Sequence, residues 1–267
     1  MLVSEQPLQH FRALPAAAPR MARDVALGGA DGCDADHADL HPLWLRCPVR
    51  HASRRTKAEP RPRRDDDHYR SRAVKPGEAR FDDPGLTRVA ALRCARASSE
   101  ASLAVARDAL KGRFRFLGEV RDLGVDVDWN RKDLDESTRL WKTHLHEFDY
   151  AINLARATRD SGDAAYRDRL ASLITSWSAA SPIGQPGYAR DVWNARAVAN
   201  RIVNWAIAGS ILRLQAGDPL HARLRDQIAV HTLFLHDNLE FDLRCNHLLR
   251  DYVGLLFANS LMAHVSR

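Results

Sequence analysis

The residues able to move protons or hold an anion gather in the second half of the chain. Asn246 and His247 are adjacent and stand just ahead of a leucine-rich run. An amide donates hydrogen bonds without adding negative charge, and an imidazole donates, accepts or carries a proton. The pair can therefore donate to an anion and hold or pass a proton. Read purely locally, Asn246 before a helix is an N-cap and His247 an ordinary surface or core histidine. Arg201 and Asn204 lie three apart, on one face of a helix. Either they bind a carboxylate, with arginine as a bidentate donor, or they tie helices together. His144 and His146 are two apart and point to different faces, which argues against a metal pair. His146 either faces a cleft or packs. Trp129, Trp141, Trp193 and Trp205 are stacking platforms for a ligand or core residues. No cofactor and no metal is expected.

These residues need a helical frame, and the pattern supplies one. Leu86, Val89, Ala90 and Leu92, then Leu103, Ala106 and Leu110, predict one or two amphipathic helical stretches that stop near Gly112. Residues 113–130 alternate briefly and predict an extended connector. Ser137 opens a helix predicted to run to about Arg159. Asp163 caps the next, which carries Tyr166, Leu170, Leu173, Ile174 and Trp177. Pro182, Gly184, Pro186 and Gly187 mark a loop. A third helix spans about Asp191 to Gln215 and ends at Gly217. Asp218-Pro219 starts a fourth, an N-cap followed by proline at the first helical position. A fifth follows Asn246. The fold class is all-α: helix pairs, several apolar on more than one side, with no strand-rich region.

Composition divides the chain of 267 residues. Residues 1–100 hold nine of the 12 Pro and one of the 6 Trp. Within 50–64 there are seven Lys or Arg and one Glu, and Asp65, Asp66 and Asp67 follow. Apolar periodicity is missing, so ordering this stretch would cost about 1–2 kcal/mol per residue with little return. Residues 1–85 are thus expected to be a disordered or spurious leader, and 86–267 the folded body. A basic arm for an anionic polymer is the functional alternative for the leader. The net charge of +6 is mild, and neither aromatic interleaving nor helix-turn-helix spacing points to nucleic acid. No 18-residue stretch is free of charge, so no membrane span is expected. Residues 1–23 lack the apolar core of a secretory signal, which leaves the chain cytoplasmic as written. The cysteines, Cys33, Cys47, Cys94 and Cys245, have no paired spacing.

Four pieces of the body, across residues 105–264, resemble the N-terminal domain of the heparinase II/III-like polysaccharide lyases. Gly112, Phe114, Phe116 and Leu117 followed by Asp128-Trp129 are similar to G-x-F-x-F-L…D-W. Trp141 through Tyr150 resembles W-x-x-x-L-H-x-F-D-Y. Trp193 through Trp205 resembles W-x-P-Y-x-x-S-x-R-x-x-N-W, with Ala195, Arg196 and Ala199 in place of Pro, Tyr and Ser. Asn246-His247-Leu248-Leu249 resembles G-N-H-L-L, with Cys245 in place of Gly.

The resemblance implies an incomplete (α/α) toroid, from a family whose members continue into more helices and a β-sandwich. This chain is then expected to lack its C-terminal half and to be inactive alone. The implied reaction is β-elimination on a uronic-acid-containing polysaccharide of heparan, alginate or capsular type. The partner is an anionic polysaccharide, and the usual compartment is periplasmic or secreted. By resemblance Asn246 neutralises the substrate carboxylate and His247 is its partner or the base. His146, Trp193, Arg201 and Asn204 are the substrate-binding candidates. A glycoside hydrolase is the rival enzyme. It would need two carboxylates across a cleft, from Glu147, Asp149, Glu240 and Asp242. A non-catalytic polyanion-binding fragment is the non-enzyme alternative.

Overall fold

The computed structural model describes residues 65–73, 79–131, 134, 139–241 and 246–262. All of them fall within one contact unit, Ala58–Arg267. The helices are α1 (Asp66–Arg72), α2 (Pro84–Ala95), α3 (Ser99–Leu110), α4 (Arg139–Glu147), α5 (Tyr150–Ser161), α6 (Ala164–Ala180), α7 (Tyr188–Asp191), α8 (Ala195–Ile211), α9 (Pro219–Asp237) and α10 (Asn246–Met262). A hairpin of β1 (Arg113–Phe116) and β2 (Glu119–Asp122) pairs Phe116 with Glu119 across its turn. The turn residues Leu117 and Gly118 both have positive φ, the geometry that matches strand twist in a two-residue hairpin. The stretch predicted as an extended connector is therefore this hairpin and the loop after it.

Polar starts fix the helix boundaries. Asp83, Ser98, Asp163, Asn194 and Asp218 each accept a backbone N–H from the first turn of the helix that follows. Each such cap contributes about 1 kcal/mol. Three boundaries depart from expectation. Ser137 lies outside the described residues, and the helix predicted to run to Arg159 breaks at Phe148 into α4 and α5. Phe148 has φ 61, costly for a side chain with a Cβ. Its ring is fully buried against Trp129, Trp177 and Trp205, which offsets that strain. The helix predicted from Asp191 is interrupted as well: Asn194 ends the short α7 and caps α8.

The third departure concerns the leader. Within residues 1–85, expected to be irregular, α1 is helical, and Tyr69 and Phe81 are buried in the common core. Phe81 sits where a Cβ on Gly209 would come within 2.2 Å of its ring. Each of these two aromatics buries a large apolar area, which anchors the described part of the stretch despite its weak periodicity. The rest of the leader lies outside the described residues.

Buried on nearly every side, α8 is the central helix, with α5, α9, α10, α2 and α4 around it. Among the described residues no helix is long and apolar enough to cross a membrane.

Candidate functional site

Helix directions decide which residues can meet. A Cβ on Gly254 of α10 would touch Ala199 of α8. Further along, the Arg80 N–H donates to the Leu261 carbonyl while the neighbouring Phe81 packs on Gly209. Later residues of α10 thus lie beside later residues of α8, so the two helices run parallel. The opposite holds for α9, since Phe234 near its end meets Trp193, and His221 near its start meets Phe81. One end of the bundle therefore collects the starts of α8 and α10 and the end of α9. The last turn of α4 joins them, because Glu147 is ion-paired with Arg196 at 3.2 Å.

Asn246 and His247 open α10 at this end. Asn246 is exposed, and no hydrogen bond among the described residues engages its side chain. His247 is half-exposed, and its Nδ1 lies 3.0 Å from Glu240 Oε2. A carboxylate only accepts, so Nδ1 carries the proton and donates. In the neutral form of the ring the lone pair is then on Nε2, on its far side from Glu240. Glu240 is anchored in turn: its backbone N–H donates to Asp251 Oδ2 at 2.9 Å. Asp251 is fully buried, and its Oδ1 has no partner among the described residues. Burial pushes its carboxyl up to about 6, against the opposing pull of the Glu240 N–H bond.

The other four candidates lie beneath this surface. Arg201 is fully buried. Its Nη1 donates to the His146 carbonyl at 2.6 Å, its Nη2 to the Val192 carbonyl at 3.0 Å, and its Nε to His231 Nε2 at 2.8 Å. The guanidinium lies over the Trp177 ring, 4.2 Å from its centroid. Asn204 donates to the Glu147 carbonyl at 2.8 Å. The two side chains thus cap the last carbonyls of α4, which the break at Phe148 leaves without helical partners. Two of the sequence pieces, 141–150 and 193–205, are in this way bonded to each other. Burial lowers the Arg201 pKa to about 9, which keeps it charged at neutral pH.

His146 and Trp193 are buried as well. Trp193 donates to the Ser181 carbonyl at 2.9 Å and stacks near His231. Trp177 donates to His146 Nδ1 at 3.0 Å, which places the His146 proton on Nε2. Burial, then the nearby Arg201 charge, holds His146 and His231 well below the usual histidine range. His146, Trp193, Arg201 and Asn204, expected at the substrate, are enclosed, and the partners they have among the described residues are internal. Trp129, Trp141 and Trp205 are core residues too.

Three of the four carboxylates a hydrolase would draw on are engaged by other side chains. Glu147 is buried between His144 Nδ1, at 2.9 Å, and Arg196. Asp149 is exposed and pairs with Arg93, while Glu240 holds His247. Asp242 lies outside the described residues. Sequence reasoning passed over Asp251 as a support of this end. The one available signal was its place four residues after His247, which puts both on one helix face.

A helical domain with an amide–imidazole pair at one end is what these elements define. The family model described as Heparinase II/III N-terminus matches residues 55–265, and the chain belongs to that family. Among solved structures it is similar to "Heparinase III-BT4657 gene product, Methylated Lysines", at 18% identity and a TM-score of 0.53, covering 61% of this chain and 28% of that one. It is equally similar to heparan sulfate lyase HepC from Pedobacter heparinus, at 18% identity and a TM-score of 0.53, covering 73% of this chain and 30% of that one. The chain thus spans under a third of the length of either structure. No curated protein sequence matches it.

Proposed function

We propose that the chain is the helical part of a polysaccharide lyase that cleaves uronic-acid-containing glycans by β-elimination. The observation that carries this is the start of α10, where Asn246 is exposed and His247 is held by Glu240 through Nδ1, with no partner for the Asn246 side chain or His247 Nε2 among the described residues. Family membership supports the reaction class. The likeness to heparan sulfate lyase HepC favours a heparan-sulfate-type substrate over alginate or a capsular uronate.

Elimination removes the proton on C5 of the uronate, beside its carboxylate. That proton becomes acidic only when donors take up the charge that moves onto the carboxylate oxygens. The Asn246 amide is such a donor. His247 Nε2 accepts the C5 proton or pairs with the carboxylate. The electron pair left on C5 forms the C4=C5 double bond, the bond from C4 to the glycosidic oxygen breaks, and an acid protonates that oxygen. The donor-and-imidazole part of this work falls to the described residues. Turnover is proposed for a longer protein, and the 267-residue chain alone is proposed to bind without cleaving.

The test offers heparan sulfate, alginate and a capsular uronate oligosaccharide to the whole chain. Uronate binding that is lost in Asn246→Ala supports the reading, and an ultraviolet-absorbing unsaturated end is the product of any turnover. New reducing ends without that absorbance would indicate hydrolysis and refute it. Salt-sensitive binding that Asn246→Ala leaves intact would indicate a non-catalytic polyanion surface.

A further inference from the structure

We propose that Asp251 is a positioning residue. It pins the turn after α9 so that the Glu240 carboxylate holds His247 with Nδ1–H bonded and Nε2 free. The argument rests on geometry. Glu240 belongs to the non-helical stretch that follows Asp237, where no ladder of helical bonds fixes the backbone. Its N–H donates to Asp251 Oδ2 at 2.9 Å, and its own carboxylate reaches His247 Nδ1 at 3.0 Å. His247 and Asp251 are four apart on α10, so both contacts arise from one face of that helix. Residue 240 is thereby held at its backbone and at its side-chain tip by two points on the same rigid element.

A simple helix clamp would not need a carboxylate here. Asp251 is fully buried and its Oδ1 is unbonded among the described residues, so an apolar side chain of similar volume would pack at lower cost. What the carboxylate adds is an acceptor for the Glu240 N–H, and through it control of the imidazole. The inference rests on the reading of His247 as the proton-handling group.

The test uses the whole chain with ¹⁵N-labelled histidine, whose ring-nitrogen shifts report the tautomer without substrate. The His247 signals are assigned by their loss in His247→Gln. In the wild type, neutral His247 is expected as the Nδ1–H form. Asp251→Asn keeps an oxygen acceptor for the Glu240 N–H and is expected to retain that form. Asp251→Leu fills the same space without an acceptor and is expected to shift most molecules to the Nε2–H form, as Glu240→Ala does. A folded Asp251→Leu chain that keeps the Nδ1–H form overturns the proposal. Should that variant fail to fold, hydrogen exchange at the wild-type Glu240 amide decides: protection supports the proposal, and exchange at the rate of a free turn overturns it. Neither readout involves turnover, so failure here and failure of the lyase reading are told apart.

Discussion

Replacing Arg201 with alanine separates a structural arginine from a substrate-binding one. The guanidinium makes three bonds in the core, to the His146 and Val192 carbonyls and to His231 Nε2. Arg201→Ala strands all three acceptors, each at about 1–3 kcal/mol and not additively. It also empties the space against the Trp177 ring. Truncating one partner of a buried charged network costs about 3–5 kcal/mol, so a loss of about 4 kcal/mol is expected. For a unit of this size each kcal/mol moves Tm by about 2–4 °C, giving a fall of about 8–16 °C. Against a typical total stability of about 5–15 kcal/mol, this brings the chain near unfolding at 37 °C. Thermal melting followed by circular dichroism at 222 nm measures it. Arg201→Lys should recover little, because one ammonium cannot address three acceptors set around a planar fork. A variant that melts within about 2 °C of wild type while losing uronate binding would refute the reasoning, since Arg201 would then be spending its donors on ligand.

Asn246→Ala, by contrast, should leave stability within about 0.5 kcal/mol while abolishing uronate binding, which calorimetric titration checks. Stability should fall as pH drops from about 7 to 5. His146 and His231 sit below their ordinary value of 6.5 in the fold, so under that pH the unfolded chain binds protons that the folded chain refuses. The slope is up to about 1.4 kcal/mol per pH unit per histidine. Asp251 acts in the opposite sense. Its folded value of about 6 lies above its ordinary 3.8, so it contributes increasing stability as pH falls through that interval. Asp251→Asn should therefore steepen the acid-side loss in urea titrations at pH 7, 6 and 5. Gly254→Val should cost about 1–3 kcal/mol, because a Cβ there would lie 2.8 Å from the Ala199 backbone and force α10 off α8. A Tm equal to wild type would contradict that close approach.

Sequence by itself determined the local starts and stops. Asp163, Asp218 and Pro219 fixed helix beginnings, since a capping side chain bonds only its own first turn and proline lacks only a donor that the helix start does not use. The order of the four sequence pieces was enough to identify the family, because those residues and spacings are properties of the chain alone. The break at Phe148 was not legible. Periodicity runs through it, and only the cluster of Trp129, Trp177 and Trp205 makes a left-handed phenylalanine tolerable. The use of Arg201 and Asn204 was equally hidden. Their spacing put them on one face, but whether that face meets a sugar or the carbonyls of α4 depends on which helix lies against it. Spacing along one helix cannot report which of two neighbouring helices is parallel. That relation, fixed by Gly254 on Ala199 and by Phe81 on Gly209, brings Asn246 and His247 to the same end as Arg196 and Glu147. Close packing between elements distant in sequence decides it, and no local pattern encodes that contact.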